Sequence, residues 1–559
     1  MLLVVLGWLA AAATLLGVGL ALARWARAEP LDPGQAFWVG WAGALCALQV
    51  VQLAVPVGWP VAVALALVGA AGWASAWRWL RLPTRPPWLE ALLGGALAVA
   101  LAVRAQAPSL NGDSGVYHRP AVRWMADAAL PAGLANLNPL LGLNSAHALF
   151  QAALDVGPWA HLSQHVGPSL LVLVLGLQSL HGAALILRAP ASAGARAWLA
   201  LLFAPLVVDL ALGRDLSSDA PDLAVAVVGA ALWIELVTWV EVQGRAALPT
   251  GLLLLAVGMG IACKLSYAAW GLAVGLAVLI FGLARHPERR ARTAVLAVAV
   301  FLGTVGVWSV RSLVMTGYPL YPSPWLSLPV SWRLPQEVVD RVQRYVLVWG
   351  RWSGGPRVPV LGTWSWVRPW LVSAMSMNRA LVVPVALAVL CLALGVWRRR
   401  SPLRSWWLLL PVVAALAFWF ATSPDVRFAG ALIWALPATA AWLALRPATA
   451  SPGFQRGLVV VVLALALEPL SDPLRPVAWA WLRPPRSAEV PAVMFRTDSG
   501  LEVRVPVGGA CWDLPVPCTS FPRSGLALRG QALSQGFVWG GPDRPLPPGV
   551  PSATIPDVH

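Results

Sequence analysis

The segment NGDSGVYHRPAVRWM (111–125) holds the densest set of chemistry-bearing side chains in the sequence. Asn111 to Gly115 reads as a turn, and Tyr117 to Trp124 reads as the helix that follows it. Asp113 then stands at a helix N-terminus, with His118 and Arg123 on the next turns. A carboxylate so placed can accept a proton from an attacking hydroxyl or help hold a divalent cation, Mg2+ or Mn2+, beside phosphate. It can equally cap the helix by accepting from backbone N–H groups.

Three further places carry charge next to apolar sequence, where a charge must pair, face water or bind something. In LGRDLSSDAPDLAV (212–225), Arg214, Asp215, Asp219 and Asp222 fall within nine positions. Asp215 and Asp219 are four apart, so on one helical turn they face the same way and supply second acids for a cation, with Asp113 and Asp219 as its expected ligands. A simple pairing of Arg214 with an aspartate, plus an Asp222 cap, accounts for the same residues. Lys264, the only lysine in the chain, lies in MGIACKLSYAAW (259–270) between two apolar runs. It either snorkels to the interface or meets an anion, a phosphate or Asp215. Arg427, in ATSPDVRFAG (421–430), is the preferred phosphate ligand because a guanidinium grips phosphate through two parallel N–H bonds. The alternative is an anchoring pair with Asp425. The stretch 130–151 supplies Asn136, Asn138, Asn144, Ser145 and His147, which suit either sugar hydroxyls or turn backbone. TGYPLYP (316–322) reads as an extended turn whose Tyr318 and Tyr321 are structural or line a groove.

The elements that must position these residues are membrane helices. Of 559 residues, 58% are hydrophobic and 11% charged, far below the roughly 25% charge of a soluble domain. Mean hydropathy is +0.70. Apolar segments fall near 2–23, 36–57, 58–77, 88–104, 166–187, 197–211, 219–240, 249–263, 264–283, 292–312, 378–396, 405–421, 426–445 and 456–470. A hydrocarbon core of about 30 Å needs roughly 20 helical residues, so the shorter segments borrow from their flanks or stop short of spanning. The first segment has no basic residue ahead of it, which reads as a retained helix and not a signal peptide.

The net charge of +16 comes from arginines in short clusters between apolar runs, as in RHPERRAR (285–292) and WRRRSPLR (397–404). That is the distribution of charges holding loops on the cytoplasmic side, and it excludes nucleic-acid binding as the reason for the basic balance. With the N-terminus outside, the cytoplasmic connections hold Arg24 and Arg27, then Arg78, Arg81 and Arg85, Arg188 and Arg196, Arg245, Arg285, Arg289 and Arg290, Arg398 to Arg400 and Arg404, and Arg446. Loops 105–165 and 313–377, the turns at 214–222 and 423–427, and the tail 471–559 then share the outer side. The expected organisation is a membrane domain over 1–470 and a tail module over 471–559, in a bacterial inner membrane. PWAHLSQHVG (158–167) and LGTWSWVRPWLVSAM (361–375) read as interfacial helices or as ordered caps.

The tail alternates apolar residues with Pro and Gly, which predicts a small β-rich module. Its Cys511 and Cys518 bracket a short Trp- and Pro-containing loop and predict a disulfide on the oxidising side. No nearby histidine completes a metal-ligand set around them.

Taken together the arrangement resembles the GT-C superfamily of membrane glycosyltransferases, which use polyprenyl-phosphate sugar donors. More narrowly, NGDSGVYHRPAVRWM, GLANLNPLLGLNS, TGYPLYP, PDVRFAG and CWDLPVPC resemble a bacterial family of polytopic membrane proteins, motifs that do not specify a reaction. The broad resemblance, over about residues 80–445, implies an all-α fold with about fourteen transmembrane helices and an outward cavity. It implies Asp113 as base or metal-associated residue, assistance from Asp215 or Asp219, and Lys264 and Arg427 on the lipid phosphate. Membrane lipid and an extracytoplasmic acceptor are the implied partners. Many members carry Asp-Glu in the first loop, whereas here Ser114 follows Asp113. No GxGxxG or GxxxxGK[ST] loop provides a nucleotide pocket. The competing classes are a lipid-linked substrate transporter, a non-catalytic assembly subunit, and an acyl or headgroup transferase.

Overall fold

The computed structural model describes residues 1–81, 88–241, 249–285, 287–351, 360–398, 403–445, 450–468, 484 and 489–552. Arg85, Arg245, Arg399, Arg400 and Arg446, and most of the tail's opening stretch 471–488, lie outside the described residues.

Each apolar segment named above is helical over most of its length. Among the described residues nine helices are long and apolar enough to cross a membrane: Leu2–Trp25, Pro33–Val51, Trp59–Trp79, Ser163–Arg188, Ala195–Leu212, Pro221–Glu241, Leu265–Arg285, Pro287–Thr316 and Ala380–Trp397. The others, such as Thr250–Cys263 and Leu432–Leu445, stop short. Their ends have local causes. Extended backbone at Lys264 terminates the first, and Gly430, at φ 54°, precedes the second. Helix starts also follow local chemistry. Asp32 and Gln35 form a capping box ahead of Pro33, and Ser451 caps the helix that begins at Pro452. The protein is a largely helical, multi-pass membrane protein.

The helices pack through small residues, as expected where lipid gives apolar side chains no reason to associate. Gly17 meets Gly69 and Gly72 backbone to backbone, and a methyl at any of these positions would overlap the facing helix. One large core runs from Val4 to Ala466 across the membrane helices. A second core joins Val122, Trp124, Leu134 and Leu149 of loop 105–165 to Met315 and to Phe495, Val503, Leu526 and Phe537 of the tail. A third joins Leu140 to Tyr318, Tyr321 and the helix Gln336–Arg351.

These contacts define two faces. Loops 105–165 and 313–345, the turns around Asp215 and Arg427, and the tail meet on one, the loop face. The N-terminus joins them, since Trp159 donates its indole N–H to the Leu3 carbonyl at 2.7 Å. On the opposite side Arg196 bonds Asp32 and Glu235, and Arg188 pairs with Glu90.

The tail is less regular than a β module. Strand β1 (Ala492–Arg496) pairs antiparallel with β2 (Glu502–Pro506), and β3 (Leu526–Leu528) pairs with β4 (Phe537–Trp539), as two separate ladders that, among the described residues, close no barrel or sandwich. The disulfide between Cys511 and Cys518 is formed. In the second large loop, the helix Val367–Ser376 leaves Leu371, Val372 and Met375 exposed, as an interfacial helix would. PWAHLSQHVG instead ends in buried Ser163 and His165 at the start of a spanning helix.

Candidate functional site

Asp113 does not cap. Its side chain makes no bond to the backbone of the π-helical turn Ser114–His118, and Asn111 does the local work by accepting from the Asp113 N–H at 3.0 Å. The carboxylate is left to Arg427, whose Nη1 donates to it at 2.9 Å across 314 residues of sequence. Arg427 also faces Asp425 at 3.4 Å, so the anchoring pair with Asp425 is present and the pair with Asp113 comes in addition to it. Asp425 caps the short helix Val426–Ala429 that presents Arg427.

Lys264 finds its anion in Asp222 and not in Asp215. Its ammonium lies 4.5 Å from the centroid of the Phe428 ring, and the Arg427 guanidinium lies 5.0 Å from the same ring. One aromatic ring therefore joins the Asp113–Arg427 and Lys264–Asp222 pairs at the loop-face ends of the helices. Burial would lower the Arg427 pKa, but Asp222, Asp113 and Asp425 outweigh it and raise it.

Two imidazoles back this cluster. His118 packs on the Tyr117 ring at 4.0 Å, and burial pushes its pKa down to about 4 despite Asp113 and Asp222. Burial, with His118 adding to it, takes His147 to about 3. Both are neutral at pH 7, so the charges near Asp113 are those of aspartate, lysine and arginine. A cavity of about 70 Å³, lined by Trp349, Arg351, Trp370, Met377, Asp425 and Val426 among others, opens beside Asp425.

The remaining expected residues go elsewhere, for identifiable reasons. Residues 214–217 form a turn and not a helix, so the four-residue spacing of Asp215 and Asp219 does not align them. Asp215 accepts from Asn111 Nδ2 at 2.7 Å, and burial raises its pKa. Asp219 lies 3.8 Å from Arg119, so Asp113 and Asp219 serve different cations. Among the described residues no three His, Cys, Asp or Glu side chains are placed to hold a metal. Arg123 pairs with Asp127 on its own helix at 3.3 Å. Arg214 is exposed and forms no ion pair among the described residues. Asn138 caps its own turn, accepting from the Leu140 N–H, and donates to the Val116 carbonyl.

A second polar cluster was not visible in the sequence. Arg119, 1% exposed at its side chain, bonds Asp155 at 3.0 Å and the tail's Asp513 at 2.5 Å, and donates to Ser163 Oγ at 2.9 Å. His161 approaches Asp513 at 3.3 Å. Burial would lower the Arg119 pKa, but Asp219, Asp155 and Asp513 raise it. Burial takes Asp219 up to about 7 against the pull of Arg119. The missed member of the first cluster, Asp222, did leave a signal: a lone lysine in apolar sequence requires an anion nearby. For Arg119 there was none, because its partners lie as far as 394 positions away.

The chain is thus a multi-pass membrane protein with a charged, partly exposed cluster at one face. The model of a family described as a domain of unknown function, DUF8201, matches residues 1–434, and the chain belongs to that family. No curated protein and no solved structure matches the chain.

Proposed function

We propose that this protein is a GT-C-like membrane glycosyltransferase, with about fourteen transmembrane helices, that transfers a sugar from a polyprenyl-phosphate donor to an extracytoplasmic acceptor. One observation carries the reading: Asp113, 36% exposed, is held by Arg427 beside Lys264 at the membrane end of the helices, unspent on capping. In this reading the loop face is periplasmic, which the positive-inside rule supports.

The donor's lipid tail lies against the apolar helices and its phosphate meets Arg427 and Lys264. A phosphate there competes with Asp113 for Arg427. Released from its cation, the Asp113 carboxylate is free to accept a hydrogen bond from the acceptor hydroxyl. It takes the proton of the acceptor hydroxyl as the acceptor oxygen bonds the anomeric carbon, and the bond from that carbon to the phosphate oxygen breaks. The lipid phosphate leaves with the electron pair, stabilised by the two cations, and the anomeric centre inverts. A divalent cation beside Asp113 would add charge stabilisation at the same phosphate.

The test is the full chain in proteoliposomes, supplied with a panel of polyprenyl-phosphate sugars and assayed for release of polyprenyl phosphate. Release by the wild type and its loss in D113N and R427A is the expected result. Release that survives D113N would exclude Asp113 as base. No release from any donor, with the protein intact, would remove the glycosyltransferase reading.

A further inference from the structure

The tail reaches back to the segment that carries Asp113. Trp512 donates its backbone N–H to the Gly115 carbonyl at 3.0 Å, and its indole lies so close over Gly115 that a methyl there would overlap the ring. Its neighbour Asp513 bonds Arg119 at 2.5 Å. Both ends of the π-helical turn Ser114–His118 are therefore gripped by two consecutive tail residues.

The grip is itself braced. Cys511 and Cys518 close the loop that presents Trp512 and Asp513. Arg504 donates to the Pro517 carbonyl at 3.0 Å, and Thr519 Oγ1 donates to the Leu137 carbonyl at 2.7 Å, so the loop's exit is tied to β2 and to loop 105–165. Trp512 adopts φ 47°, left-handed backbone that a bulky side chain avoids unless its surroundings impose it. These contacts come from residues beyond 434, where the family match ends.

We infer that Trp512 and Asp513, presented by the disulfide loop, are positioning residues that hold Asp113 and His118 in the site. The inference rests on the proposed role of Asp113, but the hold on its segment is measurable without turnover. Neither residue touches Arg427 or Lys264; each acts through Gly115 or Arg119. Reduction of the disulfide releases the loop and with it the Asp113 segment, which ties an ordered site to an oxidising compartment.

Hydrogen exchange read by mass spectrometry on the purified full chain tests this. Peptides over 111–125 are compared with control peptides from the helices Pro33–Val51 and Pro221–Glu241. Exchange over 111–125 should rise about tenfold or more in D513N and W512A, and in folded wild type treated with a mild reductant, while the controls stay unchanged. W512F, which keeps a ring over Gly115, should restore most of the protection. Wild-type protection over 111–125 in D513N, W512A and the reduced protein overturns the inference. So does an equal rise over the control helices, since the tail would then be stabilising the whole fold. Donor turnover on the same samples separates the two ideas. Selective loss of protection alongside an inactive wild type keeps the hold on 111–125 and discards the glycosyltransferase reading.

Discussion

The two charged clusters of the loop face are built from the same groups and differ in what they have left to offer. Around Arg119, 1% exposed, Asp155, Asp219, Asp513 and Ser163 close a buried node between loop 105–165, the turn before Pro221 and the tail. Around Arg427, Asp113 stays 36% exposed and Phe428 joins two ion pairs at the membrane boundary. Buried charges commit their donors to one another, because leaving any of them alone is costly. Asp113 is the exposed member of the second cluster and can exchange its protein partner for a ligand at lower cost, whereas Arg427 and Lys264, each 17% exposed, and Asp222, 5% exposed, are largely covered. The first cluster therefore holds the fold, and the second is the one proposed to carry chemistry.

Removing the guanidinium from the buried node should have the largest effect on stability. R119A leaves three carboxylates facing one another, and a loss of about 3–5 kcal/mol is expected, seen as lost folded yield or a large drop in thermal midpoint. The opposite pattern is expected at the exposed cluster. D113N should lower turnover by roughly 10²–10⁴-fold and shift stability by less than about 1 kcal/mol. Equal losses of stability from R119A and D113N would erase the distinction.

A pH series sharpens it. Burial holds the Asp219 pKa at about 7, well above that of an unfolded carboxyl, so the folded state binds this proton more tightly. Stability from Asp219 is then fully present at acid pH and is lost as pH rises toward 7. Thermal midpoints of the wild type should fall between pH 5 and 8, and D219N should fall less steeply. An identical slope in D219N would show that Asp219 does not titrate in this window.

How far the sequence reached follows from which signals were local. Apolar runs and the Cys511–Cys518 pair are short-range patterns, and each found its element. Lys264 announced its need for an anion, although Asp222 and not Asp215 met it. The alignment of Asp215 with Asp219 presumed a helix, and Gly213 with the turn 214–217 removed it. Arg119 could not be read at all, since three carboxylates from distant segments give it its character only after folding.

The smallest expected effect belongs to Arg123. Its pair with Asp127 sits at the surface one helical turn away, so R123A should cost about 0.5 kcal/mol or less and leave turnover intact. A loss of turnover comparable to that of D113N would return Arg123 to the site.

The most direct test of the central claim is an experimental density map of the full chain with added polyprenyl phosphate. The lipid's phosphate should lie within hydrogen-bonding reach of Arg427 and Lys264, with Asp113 facing the open side. A site in which Arg427 keeps Asp113 and the lipid binds elsewhere would contradict it.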